Sequence, residues 1–149
     1  MHAVNKIIMK AELETIFKTA ADLSQWPKIL PHYRWVRYLE KSPRKNRVVM
    51  AAKRKWMPIK WTSMQEVDVV RKEVRFLHLK AFTKGMRVVW TFEAVENGVL
   101  VKIEHHLRSA IPLIGPFIVN VIVGKFFIHY VANQTLASMK TYVESLDET

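Results

Sequence analysis

The run Met86-Arg87-Val88-Val89-Trp90-Thr91-Phe92-Glu93 alternates apolar and polar side chains, and so does Val101-Lys102-Ile103-Glu104-His105. Between them stands Asn97-Gly98. A period of two marks a half-buried strand. Asn-Gly is a strong hairpin signal, because both central residues of a type I′ turn need positive φ. Residues 85–96 and 99–108 are therefore expected as paired antiparallel strands. The same reading carried toward the N-terminus gives strands near 33–41, 46–56, 59–69 and 73–81, with Ser42-Pro43-Arg44-Lys45-Asn46 as a turn. Strands in such close succession make an antiparallel meander.

The flanks change period. Residues 3–10 read as one more strand. Leu13, Ile16, Phe17 and Ala20 recur at three and four, which predicts a short amphipathic helix. Trp26-Pro27 opens a second short helix that ends near Leu30-Pro31. After Pro112, Gly115 and Pro116 a single long helix is expected to about Leu146. Its second half carries the stripe Ala132, Leu136, Met139, Val143 and Leu146; its first half is apolar nearly all round. Such a helix must bury every side, against a core, a lipid or a second copy of the chain. Pro112, Pro116, Asn120, Lys125 and His129 interrupt the apolar run and argue against a membrane span. The whole is an α+β chain of one domain over residues 1–149. A curved antiparallel sheet of seven strands wraps around a long C-terminal helix, with two short helices after the first strand.

Composition narrows the partners. Half of the 149 residues are hydrophobic and a quarter are charged, which excludes a disordered chain or a collagen. With no cysteine there is no disulfide, thiol nucleophile or Cys-type metal site. The net charge of +11 comes from the middle: residues 34–87 hold sixteen bases and four acids. That surface suits peripheral contact with an anionic membrane, or serves to keep the protein in solution. No secretory leader is evident, so a cytoplasmic location with peripheral contact at the membrane is expected.

Strand parity sorts the sheet into two faces. Trp61, Ser63, Gln65 and Val67 oppose Lys60, Thr62, Met64 and Glu66; Val48, Met50, Ala52, Arg54 and Trp56 oppose Arg47, Lys53 and Lys55. The first sets, with Met86, Val88, Trp90, Phe92, Val101, Ile103, His105 and Leu107, form the concave face. Arg54 has two placements open to it, into the hollow or out to solvent along its stem. Ligand contacts are expected from Trp35, Met50, Arg54, Trp61, Ser63, Gln65, His78, Trp90, Phe92, Ile103 and His105 on the sheet. Val119, Val123 and Phe127 would add to them from the helix. An apolar wall with a few polar groups suits a lipophilic ligand.

Little of this pattern is catalytic. His105 and His106 are adjacent, so they point to opposite faces and share no metal; the other histidines lack ligand spacing. No metal or other cofactor is expected. No phosphate loop, nucleophile elbow or dinucleotide fingerprint occurs. Parity sends Glu66, Asp68, Glu93 and Glu104 outward, so acid–base chemistry would rest on His105, His78 or Tyr33. His105 is expected as a hydrogen-bonded core residue.

The order of elements resembles the START-like (SRPBCC) superfamily. The resemblance rests on Trp26-Pro27, Leu30-Pro31-His32-Tyr33, Trp61-Thr62-Ser63, Trp90-Thr91-Phe92 and Ile111-Pro112-Leu113-Ile114-Gly115-Pro116. Within it the chain is most similar to the polyketide cyclase/dehydrase and lipid-transport group, which includes coenzyme-Q-binding proteins. The resemblance implies a helix-grip fold with a cavity for a hydrophobic ligand. Cyclases of the group carry Trp-x-Ser-x-Arg on a pocket strand; here the run is Trp61-Thr62-Ser63-Met64-Gln65, and the cation is missing. An amide does not stabilise an enolate as a charge does. The first expectation is thus a carrier or chaperone of a lipid, isoprenoid quinone or polyketide-like molecule. The alternative is a cyclase/dehydratase with Tyr33, Ser63, Gln65 and His105 as catalytic candidates. A third reading, an RNA- or ribosome-associated module, is disfavoured because parity places Trp56 and Trp61 inside, away from the outward lysines. Nucleic acid is therefore not the expected partner.

Overall fold

The computed structural model describes residues 2–80, 83–107 and 129–146. Seven strands form β1 (His2–Met9), β2 (Tyr33–Glu40), β3 (Lys45–Arg54), β4 (Met57–Asp68), β5 (Glu73–His78), β6 (Arg87–Val95) and β7 (Gly98–His106). They pair antiparallel in one open sheet, in the order β1-β7-β6-β5-β4-β3-β2. Spatial order follows chain order from β2 to β7, and β1 closes back on β7. The alternation that predicts β6 and β7 is seen as burial: Val88, Trp90, Phe92, Val101, Ile103 and His105 point into the core.

Three places depart from the expected pattern. Val95 pairs with Gly98, so Glu96-Asn97 and not Asn97-Gly98 is the centre of the β6–β7 turn. Neither of its residues has positive φ, while Gly98 sits at φ +146°. A Cβ there would lie 2.6 Å from the Met9 carbonyl oxygen. The glycine is thus required by the close passage of β1, not by the turn itself.

At the β3–β4 hairpin, Arg54 pairs with Met57 and leaves Lys55-Trp56 as a two-residue turn, with Lys55 at φ +56°. The strand ends before Trp56, so parity does not extend to it, and Trp56 is 85% exposed rather than inside. In β2, Tyr33 faces Ala52 and Trp35 faces Ala51, so an extra residue bulges there. A one-residue slip inverts the faces. Tyr33 therefore points in and Trp35 points out, 38% exposed.

The inner face is covered by α1 (Leu13–Ala21), α2 (Trp26–Ile29) and α3 (Asn133–Leu146). A three-residue 3-10 turn, Leu23–Gln25, joins the first two. In α1, Ile16, Phe17 and Ala20 are buried on one stripe. Leu136, Met139 and Val143 bury the stripe of α3, while Leu146 at its end is exposed. Each such side chain contributes about 1.5–3 kcal/mol by leaving water. A π-helical turn at 129–132 precedes α3. The expected start of the long helix near Pro116 lies outside the described residues.

Polar ties fix α3 on β1. Asn5 Nδ2 donates to Asn133 Oδ1 at 2.7 Å, and Lys140 Nζ to the Ile8 carbonyl at 3.0 Å. Among the described residues, no helix is long and apolar enough to cross a membrane.

Candidate functional site

The inward residues at one end of the sheet meet α2 and the start of α3 around a cavity of about 50 Å³. Its walls are Trp26 from α2, Tyr33, Met50, Trp61, Phe76, His78, Val88, Trp90, Ile103 and His105 from the sheet, and Val131, Ala132 and Thr135. The aromatic rings pack on one another. Trp26 lies 5.1 Å from Tyr33 and 5.7 Å from Trp90, and Trp61 stacks parallel on His78 at 6.1 Å. Trp26 is held by Nε1 donating to the Thr19 carbonyl at 3.1 Å. Among the described residues, no Asp, Glu, Lys or Arg lines the space.

That volume takes a few water molecules, whereas a bound small molecule commonly needs about 300–1,000 Å³. Among the described residues, Trp26, Tyr33, Trp61 and Trp90 crowd this part of the hollow between sheet and helix. A larger cleft of about 770 Å³ opens beside α1, near Phe17, Tyr38 and Pro43. Among the described residues, none of the unpartnered buried polar atoms line it.

Three histidines sit at or beside the cavity. His105 is 4% exposed, and its Nδ1 has no hydrogen-bond partner. The expected satisfied core histidine is therefore an unsatisfied one. Burial pushes it down to about 4. His78, whose Nδ1 lies 3.1 Å from Thr83 Oγ1, is pushed down to about 3 by burial, with nearby His105 adding to the effect. His32 Nε2 lies 2.8 Å from Thr135 Oγ1, whose proton goes to the Val131 carbonyl at 2.6 Å. The hydroxyl can then only accept from His32, which fixes the proton on Nε2. Burial takes His32 down to about 4 as well. Burial raises the Tyr33 phenol well above its ordinary range, against a smaller opposing effect of Thr135. All four groups are neutral at pH 7.

Of the residues expected to touch a ligand, Met50, Trp61, His78, Trp90, Ile103 and His105 line the cavity, with the catalytic candidate Tyr33. The others go elsewhere. Gln65 is fully buried but occupied: Nε2 donates to the Ala21 carbonyl at 2.9 Å and Oε1 accepts from Asn46 Nδ2 at 2.9 Å. It ties the end of α1 to the sheet and is no cavity group. Ser63 is buried behind the wall and donates to the Leu77 carbonyl at 3.2 Å. Phe92 packs edge-on against Phe17 at 5.6 Å. Arg54 takes the solvent route, its guanidinium over the Tyr130 ring at 5.5 Å. Trp35 is turned out by the bulge in β2. Val119, Val123 and Phe127 lie outside the described residues.

Trp26, Phe76, Val131, Ala132 and Thr135 are wall residues outside the expected ligand contacts, and Val88 was expected on the concave face but not as a contact. Phe76 shares parity with His78 on β5, so the signal was present. Trp26 and Thr135 reach the site only through the packing of α2 and α3. Among the described residues, no group of three or more His, Asp or Glu side chains is placed to hold a metal ion.

No protein of curated function matches the sequence significantly. Solved structures do match the fold. A Thermus thermophilus protein is 17% identical, with 98% of this chain and 99% of that one covered and a TM-score of 0.81. The Zhui aromatase/cyclase of Streptomyces sp. R1128 is 14% identical, with 97% and 93% covered and a TM-score of 0.76. A START superfamily protein of Mycobacterium smegmatis is 12% identical, with 97% and 98% covered and a TM-score of 0.73. At these identities the likeness carries the helix-grip fold alone. The family model for polyketide cyclase / dehydrase and lipid transport matches residues 9–125. With the seven-stranded sheet, the two short helices and the covering C-terminal helix, that match places the chain in the polyketide cyclase/dehydrase and lipid-transport family.

Proposed function

We propose that the protein binds a hydrophobic small molecule between sheet and C-terminal helix, and that it carries this molecule rather than transforming it. The ligand class is a lipid, an isoprenoid quinone or a polyketide-like compound. The observation that carries the reading is His105: a neutral imidazole, buried among aromatic rings, with an unpartnered nitrogen on the cavity wall. Leaving such a group unsatisfied costs about 1–3 kcal/mol. A hydroxyl or carbonyl on an apolar ligand recovers that cost while its body packs on Trp61 and Trp90.

The same wall argues against turnover. A base held near 4 is poorly matched to proton transfer at neutral pH. Gln65, in the place of the cyclase arginine, is committed to Ala21 and Asn46. The cavity among the described residues is smaller than such a ligand, so entry there needs the packed rings to part. A carrier must also meet the membrane that holds its cargo, and the basic segment 34–87 is the part of the chain that fits this contact.

Organic extraction of the purified protein, followed by mass spectrometry, is expected to release a lipophilic molecule in near-stoichiometric amount. The His105→Phe variant should retain less of it while keeping its fold. An empty extract, together with His105-dependent conversion of a polyketide-like substrate, would establish the cyclase instead.

A further inference from the structure

The charges of the basic segment separate along the sheet. All four of its acids, Glu40, Glu66, Asp68 and Glu73, stand toward the end where β2, β4 and β5 meet their far turns. The ion pairs cluster there too: Arg47 with Glu40, Lys72 with Glu14, and Arg75 with Glu66, Asp68 and Glu73. The opposite end holds the β3–β4 turn, the β5–β6 connection and the last residues of β7. There Arg34, Lys53, Arg54, Lys55, Lys60, Lys80, Lys84 and Arg87 are all exposed. No acid occurs between Glu40 and Glu66 in the chain. The acid nearest this end on β7, Glu104, is 3.3 Å from His2.

From the middle of this cationic end projects Trp56, at the apex of a two-residue turn and 85% exposed. An indole held out into water at a hairpin tip is unfavourable in solution, and it is the side chain that favours the headgroup region of a bilayer. The cavity lies at this same end, since Tyr33, Trp61, His78, Val88 and His105 are its walls. We propose that the β3–β4 tip is an anchor for an anionic lipid surface. Trp56 enters at headgroup depth and Lys53, Lys55 and Lys60 lie against the phosphates, so that the cavity end of the sheet faces the bilayer. The anchor gives the carrier reading its membrane contact and rests on that reading for its purpose alone. Single-stranded RNA is the less fitting partner. It needs successive aromatic platforms along a groove, whereas among the described residues Trp56 stands alone at the tip and Trp35, on the outer face, has the Arg37 guanidinium 5.7 Å from its ring.

The test is sedimentation of the full chain with vesicles of phosphatidylcholine, with and without phosphatidylserine. Binding is expected only to the anionic vesicles, with a blue shift of tryptophan emission and release by salt. Trp56→Ala should abolish the shift. Lys53→Gln and Lys60→Gln should each weaken binding about fivefold, with unchanged melting temperatures. Wild-type protein that ignores anionic vesicles overturns the anchor, and an extract that still contains lipid would then leave the carrier reading standing. Vesicle binding with an empty extract supports the anchor and removes the carrier. Trp56-dependent binding of a uridine oligonucleotide without vesicle binding overturns the anchor in favour of RNA.

Discussion

Gln65 shows how a position keeps its place and changes its work. It lies on the inner face of β4, two residues after Ser63, yet both ends of its amide are spent on Ala21 and Asn46. Gln65→Leu leaves the Ala21 carbonyl and the Asn46 amide buried without that partner, and should lower stability by about 2–4 kcal/mol in urea denaturation. A loss below the error of the measurement would mean that water replaces the amide. Parity was enough to turn Gln65, Ser63, Trp61 and His105 inward. It could not say what each would meet, because the partners come from α1, or from the carbonyl of a neighbouring strand. Which of these inward groups would remain without a hydrogen bond was equally invisible along the chain.

At the level of elements, alternation located all seven strands to within a few residues, and the three-four spacing located α1 and the stripe of α3. Two of the departures share one cause. Parity holds only along an unbroken strand, and the bulge near Trp35 and the turn at Lys55-Trp56 each break it. Both misplaced tryptophans follow from this, and so does the misplaced argument against an aromatic outer surface. The β6–β7 turn was legible in place but not in form, since its glycine serves the neighbouring strand. Gly98→Ala should therefore destabilise the fold by about 1–3 kcal/mol, because the new Cβ meets the Met9 carbonyl and φ is unsuited to it. Equal urea midpoints for the two proteins would show that β1 yields without cost.

For the molecule as a whole, acid is the informative variable. His32, His78 and His105 are held near 4, 3 and 4 in the folded state, against about 6.5 in an unfolded chain. Between those values the unfolded chain binds protons that the folded one refuses. Stability is therefore full above about pH 6.5 and falls as the pH drops toward 4, by up to about 1.4 kcal/mol per pH unit for each histidine. The carboxylates whose pKa is lowered, Glu14, Asp68 and Glu144, add their own loss only below their ordinary range. Urea midpoints compared at pH 7 and pH 5 thus isolate the histidines. The His105→Phe variant should show a flatter dependence; an unaltered slope would mean that His105 takes up its proton without unfolding.

The pairing of β1 with β7 has a consequence for how the chain is made. His2 lies opposite His106, and Asn5 is bonded to Asn133 across 128 positions of sequence. The meander from β2 to β7 can assemble from neighbours as it emerges, but the opening strand has nothing to pair with until the last one is synthesised. At about 5–20 residues per second on the ribosome, β1 waits roughly 5–20 s. Only then can α3 lock the seam through Lys140 and Asn133. Closure is a long-range event across 128 positions of sequence, and contacts of such separation fold slowly.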